Sequence, residues 1–178
     1  DEIISSWIEF GTNRFSVGIQ SLDERFLPIL DRVHTLKESF ELLNYFKTRK
    51  LDYSVDFMLG LPESESLGRD VISELSQILL YKPSHISLYI LTTKESYIHQ
   101  KSLPKDDWVA EEYLKVSSFL IERGFNHYEV SNFSLPGNES KHNLKYWNLD
   151  SVAALGPSGT GFLKGVEGGF RYKWNVHD

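Results

Sequence analysis

Gln20 and Asp56 are polar side chains placed where the surrounding residues are apolar. Gln20 closes the alternating stretch Phe15, Val17, Ile19, and Asp56 lies among Val55, Phe57, Met58 and Leu59. Aspartate is depleted in strands, and a carboxylate without a partner in such a setting carries a desolvation cost of several kcal/mol. Asp56 therefore calls for a loop to cap, a Lys or Arg to pair with, or the hydroxyl of a ligand. Gly18, two residues before Gln20 on the same strand face, removes a side chain and lets a ligand approach the backbone. Arg32 stands in the polar run Asp31-Arg32 ahead of His34-Thr35. Its planar fork suits a ligand carboxylate, although an Arg near a helix end is commonly a solvated surface residue.

Other chemistries find no pattern. The six histidines, His34, His85, His99, His127, His142 and His177, show no HxH, HxxxH or HExxH spacing, so metal binding by this segment is not expected. There is no nucleophile elbow for a Ser-His-Asp triad, and the GPSGTG run Gly156–Gly161 lacks the Lys of a phosphate-binding loop. The 178 residues contain no cysteine, which excludes disulfides, thiolate nucleophiles and thiolate-held iron–sulfur clusters within the chain itself. A net charge of −6 argues against a nucleic-acid surface. The apolar runs are too short for a bilayer span and no signal peptide opens the chain, so a cytoplasmic location is expected.

The elements that must position these residues alternate. Ile3, Ile4, Trp7 and Ile8 mark an amphipathic helix face ended by Gly11, and Thr12 to Gln20 switches to the period of a strand. Capping-box spacing appears at Ser21-Leu22-Asp23-Glu24, for a short helix, and at Thr35-Leu36-Lys37-Glu38, for a longer one carrying Phe40 and Leu43. Leu51 to Leu59 gives a second strand closed by Gly60-Leu61-Pro62, and a helix follows over about 69–80. Ile86, Leu88 and Ile90 mark a third strand, 106–123 a third long helix, and 125–133 is extended again. Strand–helix repeats of this length predict an α/β fold of parallel strands with right-handed crossovers, as an open sheet or part of a β/α barrel. From Ser134 the chain is broken by Gly and Pro into short pieces around aromatic residues, which favours hairpins over helix.

Taken in order, Asn13-Arg14-Phe15-Ser16-Val17-Gly18-Ile19-Gln20-Ser21, Asp31-Arg32-Val33-His34-Thr35, Val55-Asp56-Phe57-Met58-Leu59-Gly60-Leu61-Pro62 and His85-Ile86-Ser87-Leu88-Tyr89 resemble the radical S-adenosylmethionine (radical SAM) enzymes of the oxygen-independent coproporphyrinogen III oxidase group. Tyr128-Glu129-Val130-Ser131-Asn132-Phe133, His142-Asn143-Leu144-Lys145-Tyr146-Trp147, Leu155-Gly156-Pro157 and Trp174-Asn175-Val176 are similar to its HemW-type branch of haem chaperones. The resemblance implies an incomplete radical SAM β/α barrel over 1–133 with a strand-rich extension over 134–178 packed on it as one globular unit. It implies S-adenosylmethionine and a [4Fe–4S] cluster as cofactors, haem or a porphyrinogen as ligand, and a haem-accepting protein as partner. By position, Gln20 and Asp56 would meet the ribose, Arg32 the methionine carboxylate, and Thr92 the adenine. Amide and carboxylate groups suit hydroxyls, and a guanidinium suits a carboxylate.

Two departures stand out. The family's CxxxCxxC loop is absent and would lie upstream of Asp1, so the chain alone is expected to hold no cluster and to be inactive. Gly159-Thr160-Gly161 stands where relatives commonly have Ala-His-Ser. The implied function of the whole protein is haem binding and transfer, with oxidative decarboxylation of coproporphyrinogen III as the alternative.

Overall fold

A computed structural model describes residues 2–165 and 168–175; Asp1, Val176 and His177, named above, lie outside them. The chain divides into two compact units, Asp1–Asn138 and Glu139–Asp178.

The first unit is built on a five-stranded sheet. Its strands are β1 (Phe15–Gln20), β2 (Tyr53–Leu59), β3 (His85–Ile90), β4 (Asn126–Glu129) and β5 (Asn132–Ser134), in the spatial order β1-β2-β3-β5-β4. Helix α1 (Glu2–Glu9) precedes β1. α2 (Leu36–Arg49) and α3 (Val71–Leu79) form the crossovers that let β1, β2 and β3 run parallel, and α4 (Asp106–Glu122) leads from β3 to β4. The sheet is open, with no closed barrel among the described residues. The last extended stretch is a hairpin: Val130-Ser131 reverses the chain, and β5 returns antiparallel between β3 and β4. β4 therefore keeps the direction of β1–β3, and the added strand is β5. A two-residue link can join only antiparallel neighbours, since a parallel pair needs a crossover.

Local chemistry sets the helix boundaries. α2 starts with a complete capping box: Thr35 Oγ1 accepts from the Glu38 amide at 3.2 Å, and the Glu38 carboxylate accepts from the Thr35 amide at 2.7 Å. The spacing at Ser21 produces no α-helix, only turns and a 3₁₀ segment at Pro28–Leu30. Ser21 Oγ donates to Glu74 at 2.6 Å and accepts from the Asp23 amide at 3.0 Å, so its oxygen is used in a turn. α3 begins at Val71, after its N-cap Asp70, because Arg69 is drawn inward.

In-register residues of neighbouring strands share a face. One face carries Val17, Ile19, Val55, Phe57, Leu59, Ile86, Leu88 and Phe133, all buried. Leu43 and Phe46 of α2, Leu75 and Ile78 of α3, and Val116 and Leu120 of α4 complete this core. Each such side chain contributes about 1.5–3 kcal/mol by leaving water. The opposite face is polar: Ser16, Ser54, His85 and Ser134 make one row across the strands, and Gly18, Asp56, Ser87 and Asn132 the next.

The second unit holds β6 (Thr160–Gly165) and β7 (Gly168–Lys173) as an antiparallel pair, the hairpin its glycines predict. Ahead of it stands a helix that the breakers in this stretch had argued against, α5 (Lys141–Trp147). Ser140 caps it by accepting from the Asn143 amide, and the nearest breakers, Gly137 and Gly156, fall outside it.

Candidate functional site

The C-terminal ends of β1, β2 and β3 lie at one edge of the sheet, where β/α folds place ligands. β1 meets that edge with an irregularity. The pairing Gly18↔Asp56 is followed by Gln20↔Phe57, so Ile19 is an extra residue, and Gln20 takes a left-handed conformation with φ 59°. Its side chain is turned back over Gly18: a Cβ on Gly18 would sit 2.6 Å from Gln20 Nε2. The space above Gly18 is thus filled by the chain's own amide, where the sequence suggested an approaching ligand. Gln20 is 6% exposed, and its Oε1 is buried without a hydrogen-bond partner among the described residues.

Asp56 is half-buried on β2, directly across from Gly18. Its partner is a hydroxyl: Ser16 Oγ lies 3.0 Å from Oδ1 and 3.1 Å from Oδ2. One proton shared between two oxygens leaves most of the carboxylate's accepting capacity open.

Arg32 and Thr92 sit in connections leaving the same edge. Arg32 is exposed between β1 and α2, its amide donating to Leu27 O at 3.0 Å. Thr92 is exposed two residues beyond β3, its Oγ1 3.4 Å from Ile90 O. Among the described residues neither makes a side-chain hydrogen bond to Gln20 or Asp56. The two connections approach one another at Tyr97, whose hydroxyl is pushed up by burial and then by the Asp31 carboxylate.

The groups that organise this edge include two that the motif reading passed over. Arg69 and Glu74 form a buried ion pair, with Nε to Oε1 at 2.6 Å and Nη2 to Oε2 at 3.2 Å. Arg69 Nη1 donates to Met58 O at 2.7 Å and Nη2 reaches Gln20 O at 3.5 Å. Glu74 Oε2 also accepts from the Leu22 amide and from Ser21 Oγ, both at 2.6 Å. The guanidinium stacks against Phe57 and Phe26 at 4.9 and 5.3 Å. The sequence carried a signal for Glu74: it falls on the Val71, Leu75, Ile78 stripe, at the spacing of the buried face.

Two titratable groups are buried elsewhere in the first unit. His85 bridges Ser54 Oγ (2.8 Å to Nδ1) and Tyr128 OH (2.7 Å to Nε2). Burial, helped by the charge of Arg14, pushes it down to about 4, so the ring is neutral. Glu112 on α4 has both carboxylate oxygens buried, with only a weak approach from the Gly60 amide among the described residues, and burial pushes it up to about 7 against the lowering influence of Arg69 and that amide. A groove lined by Ile4, Trp7, Phe15, His34, Leu42 and Phe46 runs past β1, and it contains none of the four candidate residues. In the second unit a Cβ at Gly161 would fall 2.3 Å from the Tyr172 ring, so that ring occupies the space a larger residue would need.

Residues 1–75 match the model of the Radical SAM superfamily. Over 97% of its length the chain is 31% identical to the protein named heme chaperone HemW of Lactococcus lactis subsp. lactis (strain IL1403), covering 46% of that relative. It is 37% identical to the mitochondrial radical S-adenosyl methionine domain-containing protein 1 of Bos taurus, over 85% of this chain and 36% of that one. In structure it is similar to the coproporphyrinogen III oxidase HemN of Escherichia coli, described as a radical SAM enzyme. The TM-score is 0.71 over 90% of this chain and 41% of that one; at 16% identity this is a likeness of fold. The chain spans less than half the length of these relatives. The match to the superfamily model and the identity to these relatives over nearly the whole chain make this a chain of the radical SAM superfamily. Within the superfamily its relatives are of the HemW type.

Proposed function

We propose that this chain provides the nucleoside-binding edge of S-adenosylmethionine within a protein that binds and transfers haem. The observation that carries the first half is Gln20 Oε1, a buried acceptor without a donor among the described residues, beside a carboxylate whose own partner is a single hydroxyl. Ribose hydroxyls supply the donors that both groups lack. Arg32, in the connection from β1, offers a fork for the methionine carboxylate, and Thr92 stands beyond β3 on the side of the base. The family also implies a [4Fe–4S] cluster, and this chain does not fit one. It contains no cysteine, and among the described residues no group of three or more His, Asp or Glu side chains is arranged to hold a metal ion.

The haem half is supported by the HemW-named relatives and by one feature of α5. His142 is exposed, its ring nitrogens are in no hydrogen bond among the described residues, and Tyr146 packs edge-on against it at 5.1 Å with Trp147 next in sequence. His85 has both ring nitrogens engaged and His127 its Nε2. An exposed imidazole beside aromatic faces suits a haem iron, and His142 is more open than His99, which is half-buried against Tyr97 at 5.5 Å. No helix among the described residues is long and apolar enough to cross a membrane. The haem-accepting partner belongs to this reading too, as does a cytoplasmic site of action.

The test is a haem titration of the whole parent protein, its cluster reconstituted, followed by the Soret band. A stable complex that His142→Ala weakens, with coproporphyrinogen III left unconverted, is the expected result. Decarboxylation of coproporphyrinogen III would replace the chaperone reading by the oxidase one.

A further inference from the structure

The Arg69–Glu74 pair does more than bury two charges. Among the described residues, every side-chain hydrogen bond it makes beyond the pair goes to the end of β1 or β2 or the two residues after β1: Gln20 O and Met58 O accept from the guanidinium, and Ser21 Oγ and Leu22 N donate to the carboxylate. Gln20 lies between these anchors, in a left-handed conformation that residues with side chains rarely adopt. The Ser21 amide turns tightly back to Ile19 O at 2.7 Å, so the peptide on each side of Gln20 is tethered. With the backbone so held and no Cβ on Gly18, the Gln20 amide lies over Gly18, the residue that pairs with Asp56 on the neighbouring strand.

We propose that Arg69 and Glu74 are positioning residues for Gln20, locking the ends of β1 and β2 into the geometry that presents the Gln20 amide and the Asp56 carboxylate together. The proposal rests on the reading of this edge as a ribose site. Neither residue touches the ligand; each acts through the Gln20 backbone. An ion pair that served stability alone would be replaceable by apolar side chains of similar size, as buried ion pairs often are. A pair that aims Gln20 would not be, because hydrophobic residues cannot hold the Gln20 and Met58 carbonyls or the Leu22 amide.

The experiment uses the whole parent protein, its cluster reconstituted, and S-adenosylmethionine as probe, with affinity measured by calorimetry or ligand-observed NMR. The variants are Arg69→Met/Glu74→Met, Arg69→Lys, Glu74→Gln, Gln20→Ala, and the double methionine change combined with Gln20→Ala. Arg69→Met/Glu74→Met removes both charges at once, so it leaves no stranded ion and keeps the fold testable. It is expected to keep the native far-UV spectrum while melting below the wild-type temperature, because the Gln20 and Met58 carbonyls and the Leu22 amide lose their partners, to shift the Gln20 side-chain amide resonances, and to weaken binding about tenfold, the order of loss when a group that orients a ligand-binding side chain is removed. Arg69→Lys, which keeps one donor, is expected to recover part of the affinity, and Glu74→Gln, which keeps an acceptor, likewise. In the Gln20→Ala background the methionine change should cost nothing more. An equal loss in that background, or a methionine variant binding as tightly as wild type, overturns the positioning role. If Gln20→Ala alone leaves binding unchanged, the ribose reading itself fails, and that result is distinct from the other two.

Discussion

Glu112 and His85 titrate in opposite directions, and this makes the stability of the first unit unusually flat with pH. The Glu112 carboxyl is raised from its ordinary 4.5 to about 7 by burial. Between those values the unfolded chain has lost the proton that the folded chain keeps, so stability falls as pH rises. The gap between about 7 and 4.5, at about 1.36 kcal/mol per pH unit, comes to about 3 kcal/mol, complete above about pH 7. His85 is lowered from its ordinary 6.5 to about 4, again by burial first and the Arg14 charge second. There the unfolded chain takes up a proton that the folded chain refuses, so stability falls as pH drops below 6.5, by a similar total of about 3 kcal/mol once pH is below about 4. Over the shared window, from 4.5 to 6.5, the two slopes cancel. Asp23 and Glu38, lowered by hydrogen bonds from Arg25 and Thr35 respectively, act below that window. Glu112→Gln removes one slope and leaves the other. The variant should gain about 1.4 kcal/mol per pH unit from pH 4.5 to 6.5, where the wild type changes little. The comparison is between slopes, because the Gln amide in the same buried space carries its own desolvation cost. Urea unfolding followed by far-UV ellipticity at about pH 5 and pH 6.5 reads this, α2, α3 and α4 supplying most of the signal. A Glu112→Gln profile as flat as the wild type would refute the assignment of opposing buried groups.

Two further predictions follow from local geometry. Gly18→Ala puts a Cβ 2.6 Å from Gln20 Nε2, the far end of a flexible side chain, so the amide swings away at little cost to the fold. S-adenosylmethionine binding should fall while the melting temperature stays nearly constant, and unchanged affinity would mean that the amide's position over Gly18 is not used. Thr35→Ala removes one half of the α2 capping box, and urea unfolding should show a loss of about 1 kcal/mol; a neutral result would mean that the bond from the Glu38 amide is replaced by water at no cost.

Apart from the short helix expected at Ser21, the strand and helix order of the first 124 residues was legible because each element buries one face, and burial writes its period into the sequence. Gln20 and Asp56 were legible for the converse reason: polar groups interrupting an apolar pattern need an explanation. The features that escaped reading depend on partners far away in sequence. Ser21 carries capping-box spacing, yet its hydroxyl is used by Glu74, 53 residues on. Glu74 sits on a buried helix stripe, but nothing in the sequence says that Arg69 and the strand ends satisfy it. The β4–β5 hairpin read as one extended run because Val130-Ser131 lacks the Gly or Asn that usually announces a tight turn. α5 was hidden by the glycines and prolines on either side of it.

The sequence by itself determined the alternation of strands and helices, the two-faced character of the sheet, the family and the absence of any cysteine to hold a cluster. These are properties of local pattern and composition, which persist in an unfolded chain. Tertiary structure decided where β5 inserts, that Ser16 and not a cation holds Asp56, that Gly18 makes room for the protein's own Gln20 amide, and that one buried ion pair ties the ends of two strands together. Each of these is a pairing between groups distant in sequence. Hydrogen-bond geometry selects among the possible partners only after burial of the apolar face has brought them within reach.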